Sequence, residues 1–166
     1  MYKFKLLAFF IIVEITIYTV LSIDKSYRID NRLDQELFRY SREYQNIYDS
    51  FKKQTRLIYD EVINTKAVIS IMDQIQHADE ATLNRLRRKL YVHMHDSYAR
   101  LKNRHIRQVH FHLPNNISFL RMHQPDRFGD DLTKVHDTVA YVSRTHEAVD
   151  SFEEGRVYSG YRFVYP

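Results

Sequence analysis

Histidine and arginine side chains recur at a spacing of two in one short stretch of the sequence. His110 and His112 are two residues apart, and Arg121 and His123 repeat this spacing after an intervening turn. In a β-strand, residues two apart point to the same face. If the two segments pair as a hairpin, four cationic or polar groups can therefore converge.

Such a cluster has the chemistry to bind a small anion. Arginine presents a planar fork that matches a carboxylate, and imidazole donates a hydrogen bond when neutral and adds charge when protonated. An organic acid is therefore the most specific ligand hypothesis. The simpler interpretation is that one face of an edge hairpin is solvated and that its histidines form local hydrogen bonds.

Two adjacent carboxylates, Asp130 and Asp131, follow Gly129 in the next segment. With the histidines they include good ligands for a first-row metal, but they lack a recognised ligand spacing, so no metal site is predicted. Adjacent carboxylates could also act as acid and base. No nucleophile or phosphate-binding glycine run accompanies them, so we predict no catalytic residue and no cofactor. We interpret them as loop caps or ligand contacts.

The predicted ligand contacts combine the basic cluster, the two carboxylates and one aromatic residue of the second hairpin segment. They are His110, His112, Phe119, Arg121, His123, Asp130 and Asp131. The absence of cysteine excludes disulfides and thiolate metal sites. The net charge is only +4 and acids alternate with bases, which favours a solvated surface over nucleic-acid binding. The aromatic residues of the last third are best explained as a sheet core rather than as a base-stacking surface.

The elements that must position this cluster begin with an apolar segment. Residues 6–23, LLAFFIIVEITIYTVLSI, contain Glu14 as their only ionisable side chain. At the rise of an α-helix this segment spans about 27 Å, close to the thickness of the bilayer hydrocarbon. We predict an uncleaved transmembrane anchor. The alternatives are a cleaved signal peptide, for which the apolar run is long, and a buried helix of a soluble protein.

A helical stripe of apolar and aromatic residues follows the anchor, from Ile29 to Met72, mostly in steps of three, four or seven. No glycine or proline occurs before His112, so we predict that the membrane helix continues as a long stalk. A break is expected at residues 76–79, where Asp79 can cap a second helix that includes Leu83 to Leu101.

The alternating pattern begins after the second helix. Residues 105–113 and 117–122 alternate around Pro114-Asn115-Asn116 and predict a β-hairpin. A loop is expected at residues 123–131, a short helix at 137–147, a turn at 153–155 and a strand at 157–165. The predicted fold class is α+β, with a transmembrane helix, a stalk helix, a second helix and a partial PAS-like antiparallel β-sheet.

Two segments, VHFHLPNNISFLRMHQPDRFGDDL from Val109 and SFEEGRVYSGYRFVYP from Ser151, resemble the extracytoplasmic double-Cache sensor of bacterial receptor proteins. The similarity is to the type attached to histidine kinases, diguanylate cyclases and chemoreceptors. It implies three parts: an anchor in residues 1–23, a stalk and second helix in 24–103, and part of a Cache module in 104–166. In that family, ligand binding moves the stalk to control an output domain.

The resemblance further implies a single-pass protein of the bacterial inner membrane, with its C-terminal domain in the periplasm. A small-molecule ligand, contact with the membrane through residues 6–23 and a homodimer formed through the stalk are the expected partners. The match ends inside the first module, so we expect a truncated receptor whose output enzyme lies in other sequence. The alternative function is a non-sensing fragment that only dimerises with full-length receptors.

Overall fold

The computed structural model describes residues 2–76, 78–153 and 159–166. The chain forms two compact units, Met1–Ser50 and Phe51–Pro166. The first unit is entirely helical in its described part, and the second contains helices and small antiparallel sheets. The predicted α+β fold class is therefore confirmed.

Helix α1 runs without interruption from Tyr2 to Ile58 and has no buried residue. Among the described residues, only the helical stretch Tyr2–Ile63, which α1 begins, is long and apolar enough to cross a membrane. The mean hydropathy of its most apolar window is 2.4. Within it, the hydroxyls of Thr16 and Thr19 donate to the carbonyls of Ile12 and Ile15, at 2.8 Å each. This pairing satisfies both polar groups inside the helix, as an apolar environment requires.

The helix ends earlier than the apolar stripe predicts. A π-helical turn, Tyr59–Ile63, follows α1, and the chain leaves the helix at Asn64 before α2 begins at Lys66. Thr65 caps α2 by accepting a hydrogen bond from the backbone nitrogen of Val68. The prediction of one helix to Met72 was therefore wrong, because asparagine and threonine can bond the backbone locally and end a helix without glycine or proline.

Helices α2, Lys66–Asp73, and α3, Glu80–Lys102, provide most of the core. The predicted break and cap before α3 are confirmed, since Asp79 Oδ1 accepts from the backbone nitrogen of Thr82 at 2.8 Å. Apolar residues of both helices pack against the first hairpin. The buried cluster contains Val68, Ile71, Ile75, Leu86, Leu90, Met94, Tyr98, Phe111, Phe119, Leu120 and Met122.

The first hairpin pairs β1, His110–His112, with β2, Ser118–Arg121. It confirms the hairpin prediction, although β1 is shorter than the alternating segment at 105–113. The register shifts between Phe111 and His112, so that β2 contains one residue more than its partner. All four residues of β2 are buried, which breaks the alternation expected of a half-buried strand.

The second half of this unit contains α4, Asp137–Thr145, and a hairpin of β3, Val149–Glu153, with β4, Gly160–Val164. Helix α4 and strand β4 agree with the helix predicted at 137–147 and the strand predicted at 157–165. Residues 157 and 158 of the predicted strand lie outside the described residues, as do residues 154 and 155 of the predicted turn. Strand β3 was not predicted, because VDSFE has only two apolar residues and only three residues separate it from the end of α4.

Candidate ligand-binding site

The polar face of the first hairpin brings the predicted histidines and arginine together. His110 pairs directly with Arg121 across the two strands, and directly opposed residues share a face. The ring centroids of His110 and His112 are 4.2 Å apart. His110 Nε2 lies 2.8 Å from the hydroxyl oxygen of Ser118. The expected convergence of basic side chains is therefore present in the structure.

Ser118 is a member of this cluster that the alternation rule cannot find. It lies three residues from Arg121, so in a regular strand the two side chains would point to opposite faces. The irregular pairing places Ser118 opposite His112 and Arg121 opposite His110, with Phe119 as the additional residue of β2. The bulge therefore returns a polar residue to the histidine face and directs two successive apolar residues into the core.

The Arg121 guanidinium is already engaged by a carboxylate of the same chain. Its two terminal nitrogens donate to the two oxygens of Asp130, at 2.7 Å each, and one of them also donates to the carbonyl of Arg127 at 2.8 Å. The arginine side chain is 9% exposed, whereas that of Asp130 is 43% exposed. The hydrogen bonds from Arg121 lower the pKa of Asp130 to about 2.

The imidazoles of this face are neutral near pH 7. Burial, followed by the charge of His112 and Arg121, lowers the pKa of His110 to about 2. Burial also lowers the pKa of His112 to about 4, with His136 and Arg121 contributing. His123 lies near Arg121 and has a lowered pKa for the same two reasons, burial first and then the neighbouring positive charge. Neutral imidazoles can each donate one hydrogen bond and accept another.

Two of the other predicted contacts lie elsewhere. Phe119 is 1% exposed and packs in the core cluster. Asp131 is exposed, and its carboxylate accepts from the backbone nitrogen of Thr133 at 2.8 Å, as a loop cap does. His123 is half-buried, and its Nδ1 atom has no hydrogen-bond partner among the described residues.

A second polar cluster, which the sequence did not predict, joins α4 to the second hairpin. Glu153 at the end of β3 accepts from the backbone nitrogen of Thr138 at 3.1 Å and from the Thr138 hydroxyl. It also lies 3.1 Å from His136 Nδ1 and 2.8 Å from Arg162 Nε. Because Thr138 is in the first turn of α4, Glu153 on strand β3 caps the N-terminus of that helix.

The two polar clusters are electrostatic neighbours. The charges of His136 and Arg162 both contribute to the lowered pKa of His112. Burial alone would raise the pKa of Glu153, but the hydrogen bonds from Thr138 and the charge of Arg162 outweigh it and lower that pKa. Only the residue type of Glu153 hinted at this role in the sequence. An acidic residue can cap a helix from any distance along the chain, so its partner Thr138 could not be predicted.

Among residues 2–76, 78–153 and 159–166, no three histidine, aspartate or glutamate side chains lie close enough together to bind a metal ion. An open groove of about 410 Å³ lies between α2 and α3. It is lined by Ala67, Ser70, Ile71, Lys89, Val92 and His93, none of which belongs to either polar cluster.

Comparison with known proteins gives one match. No curated protein and no solved structure is significantly similar to the chain. A family model described as the double sensory domain of two-component sensor kinases matches residues 33–166, which include the second half of α1, both polar clusters and both hairpins. The matched region covers most of the chain, and the chain therefore belongs to the double-Cache family of sensory domains.

Proposed function

We propose that the chain is the membrane-anchored, extracytoplasmic ligand-sensing segment of a bacterial signal-transduction receptor. The observation that carries this proposal is the family match over residues 33–166, which follows an apolar helix of membrane-spanning length. The sensory part would then lie in the periplasm and the anchor in the inner membrane. Its signal would be read by a kinase domain of the kind that the family description names.

The ligand-binding part of the proposal rests on the histidine face of the first hairpin. Asp130 is more exposed than Arg121, so a ligand that approaches from solvent meets the carboxylate first. A small organic anion would exchange with Asp130 for the two terminal nitrogens of Arg121, and the neutral imidazoles would add hydrogen bonds. Binding would stabilise one arrangement of the loop that contains Asp130 over another, which is the differential affinity that a sensor needs.

Thermal unfolding tests this site with the full chain in lipid nanodiscs, against small organic acids, amines and divalent metals. A ligand of the folded state raises the midpoint by mass action. Under the proposal, an organic acid raises the midpoint, Arg121→Ala abolishes the shift, and Asp130→Asn increases it because the internal competitor is weakened. Asp126→Asn, which changes an exposed carboxylate nearby, is the matched control.

The same experiment can contradict the anion hypothesis. Loss of the shift in Asp130→Asn, with retention in Arg121→Ala, would show that the ligand is a cation held by the carboxylate. If no compound of the panel moves the midpoint of a cooperative transition, the alternative of a non-sensing dimerisation partner gains support.

The anchor and its orientation have a separate test. The sequence contains no cysteine, so a single introduced thiol is unique. We expect Lys134→Cys, in an exposed part of the second unit, to react with a membrane-impermeant maleimide in spheroplasts, and Lys3→Cys to react only after lysis. The reverse pattern would place the sensory part in the cytoplasm, and release of the chain by carbonate would exclude an anchor.

A homodimer through the stalk is the proposed assembly. The apolar stripe of α1 is exposed along its length, as at Leu33, 56%, Leu37, 65%, and Ile47, 58%. Apolar residues in steps of three and four along one helix are the pattern that a second helix covers. Disulfide formation by Leu37→Cys, but not by Gln35→Cys on the opposite face of α1, would support this assembly, and equal cross-linking of both would contradict it.

A further inference from the structure

The second hairpin contacts two helices, one through each of its ends. At the end where Glu153 pairs with Gly160, Glu153 and Arg162 form the contact with the first turn of α4 described above. We call His136, Thr138, Glu153 and Arg162 the α4 contact. At the opposite end, Asp150 and Tyr165 reach the last turns of α1. The hairpin therefore lies between two polar contacts that share its strands.

The contact with α1 uses three kinds of interaction. Lys52 Nζ lies 2.7 Å from Asp150 Oδ1. The ring of Tyr165 stacks on that of Tyr59, with centroids 4.4 Å apart and an interplanar angle of 17°, and the Tyr165 hydroxyl lies 3.2 Å from the hydroxyl oxygen of Thr55. These five residues, Lys52, Thr55, Tyr59, Asp150 and Tyr165, are the α1 contact.

Tyr59 is also the first residue of the π-helical turn Tyr59–Ile63. The turn is closed by a hydrogen bond of 2.7 Å from the backbone nitrogen of Asn64 to the carbonyl of Tyr59. A π-helical turn contains one residue more than the α-helical path and is frequent at functional sites. The α1 contact therefore lies where the regular helix α1 ends and the π-helical turn begins.

The hairpin itself is regular between its ends. Five consecutive residue pairs join β3 to β4, from Val149 with Val164 to Glu153 with Gly160, without a bulge. Uninterrupted pairing leaves no bulge or register shift between the two ends at which one end could rearrange independently of the other. The irregular first hairpin, in contrast, contains a register shift.

We infer that the second hairpin couples the first turn of α4 to the π-helical turn of α1, so that the α4 contact and the α1 contact form and break together. The inference rests on the proposed function for its biological meaning, because the α4 contact borders His112 of the candidate ligand site. The coupling itself is a property of the ligand-free chain, and it is reciprocal by thermodynamic necessity.

Amide hydrogen exchange of the full chain in nanodiscs measures this coupling without a ligand. Glu153→Gln weakens the α4 contact and touches no residue of α1. We expect it to accelerate exchange about tenfold in residues 59–65, and Tyr165→Ala to accelerate exchange to a similar degree in residues 137–141 at the start of α4. If Tyr165→Ala unfolds the chain, Tyr165→Phe replaces it in the experiment. This variant keeps the ring and removes only the hydroxyl, so we expect a smaller acceleration of exchange at the start of α4.

Two internal references keep the measurement specific. Exchange at Leu86, Leu90 and Met94 in the core of α3 should not change, since acceleration there would indicate global destabilisation. Phe152→Ala removes an exposed ring of the same hairpin whose aromatic partner, Tyr161, is on β4, and it should leave residues 59–65 and 137–141 unaffected.

The two proposals fail in different ways. If each variant accelerates exchange only at its own end of the hairpin, the coupling does not exist, whatever the ligand panel shows. If both distant effects are present and no compound raises the unfolding midpoint, the coupling stands and the ligand-sensing proposal fails.

Discussion

Arg121 and Asp130 form a two-point ion pair between a buried guanidinium and a carboxylate that is nearly half exposed, with both distances at 2.7 Å. The pair connects the end of β2 to the segment that follows Gly129. Such a fork geometry is the strongest form of side-chain hydrogen bonding between charged groups. The same pair is the internal competitor of the proposed anionic ligand, so its strength is the first quantity to measure.

A double-mutant cycle measures the coupling between these two side chains. We expect Arg121→Ala, Asp130→Ala and the double variant to give an interaction free energy of about 1–2 kcal/mol, below that of a fully buried pair because solvent screens Asp130. Chemical denaturation at pH 7 gives the three free energies of unfolding. Asp130→Ala should be the more damaging single change, since it leaves a buried guanidinium without its carboxylate. An interaction energy near zero would show that the pair does not stabilise the fold.

Acid should destabilise the second unit through its buried imidazoles. The pKa values of His110 and His112 are lowered to about 2 and about 4, whereas histidine in an unfolded chain titrates near ~6.5. Below ~6.5 the unfolded chain binds protons that the folded chain excludes, so the stabilising contribution present at neutral pH is lost as the pH falls. Each imidazole contributes a loss of about 2 kcal/mol between pH 7 and pH 5.

The measurement is the free energy of unfolding at both pH values for the parent chain, His110→Gln and His112→Gln. Each variant should lose part of the pH dependence, whereas His95→Gln, which changes an exposed histidine of α3, should retain all of it. If both hairpin variants show the same pH dependence as the parent, their imidazoles are not the groups that exclude protons.

Glu153 should stabilise the fold only while it is ionised. Its pKa is lowered in the folded chain, so its contribution is complete above the pKa of an unfolded glutamate, near ~4.3, and is lost as the pH falls through the folded value. We expect Glu153→Gln to cost about 1–2 kcal/mol at pH 7, the usual range for a lost charged helix cap, and less below pH 4. Equal costs at both pH values would mean that the amide replaces the carboxylate fully.

The core of α3 gives a prediction that is independent of the polar clusters. Leu90 is fully buried in the cluster between α2, α3 and the first hairpin, whereas Val92 on the same helix is 73% exposed. We expect Leu90→Ala to lower the free energy of unfolding by about 2–5 kcal/mol and Val92→Ala to change it by less than about 0.5 kcal/mol. Similar costs at both positions would contradict the packing of α3 described here.

Periodicity predicted the helices and the first hairpin because their apolar residues follow one regular spacing. The cap at Asp79 and the turn at residues 114–116 were equally visible, since the residue types that form them act locally. The end of α1 was not visible, because Asn64 and Thr65 are also tolerated inside helices. Strand β3 was missed for the opposite reason, as most of its residues are polar and become strand only by pairing with β4.

The candidate site was predictable only for residues that alternation within a strand, or direct pairing between two strands, places on one face. His110, His112 and Arg121 satisfy that rule and lie together. The internal pairing of Arg121 with Asp130 depends on the path of a loop, which no spacing rule gives. The cluster of Glu153 with Thr138, likewise, joins residues that meet only in the folded chain. How these side chains contact a ligand stays a prediction.

The additional residue in β2 has a consequence for how such domains diverge. Because Phe119 is the extra residue of the bulge, a relative that lacked it would have a regular strand in which the serine and the arginine, now two residues apart, still share the histidine face. Only one apolar side chain of the core would be lost. Two descendants could then differ in the length of this strand and still offer the same hydroxyl and imidazole groups to a ligand. A single-codon deletion at this point would therefore change the packing of the core and leave the polar face unchanged.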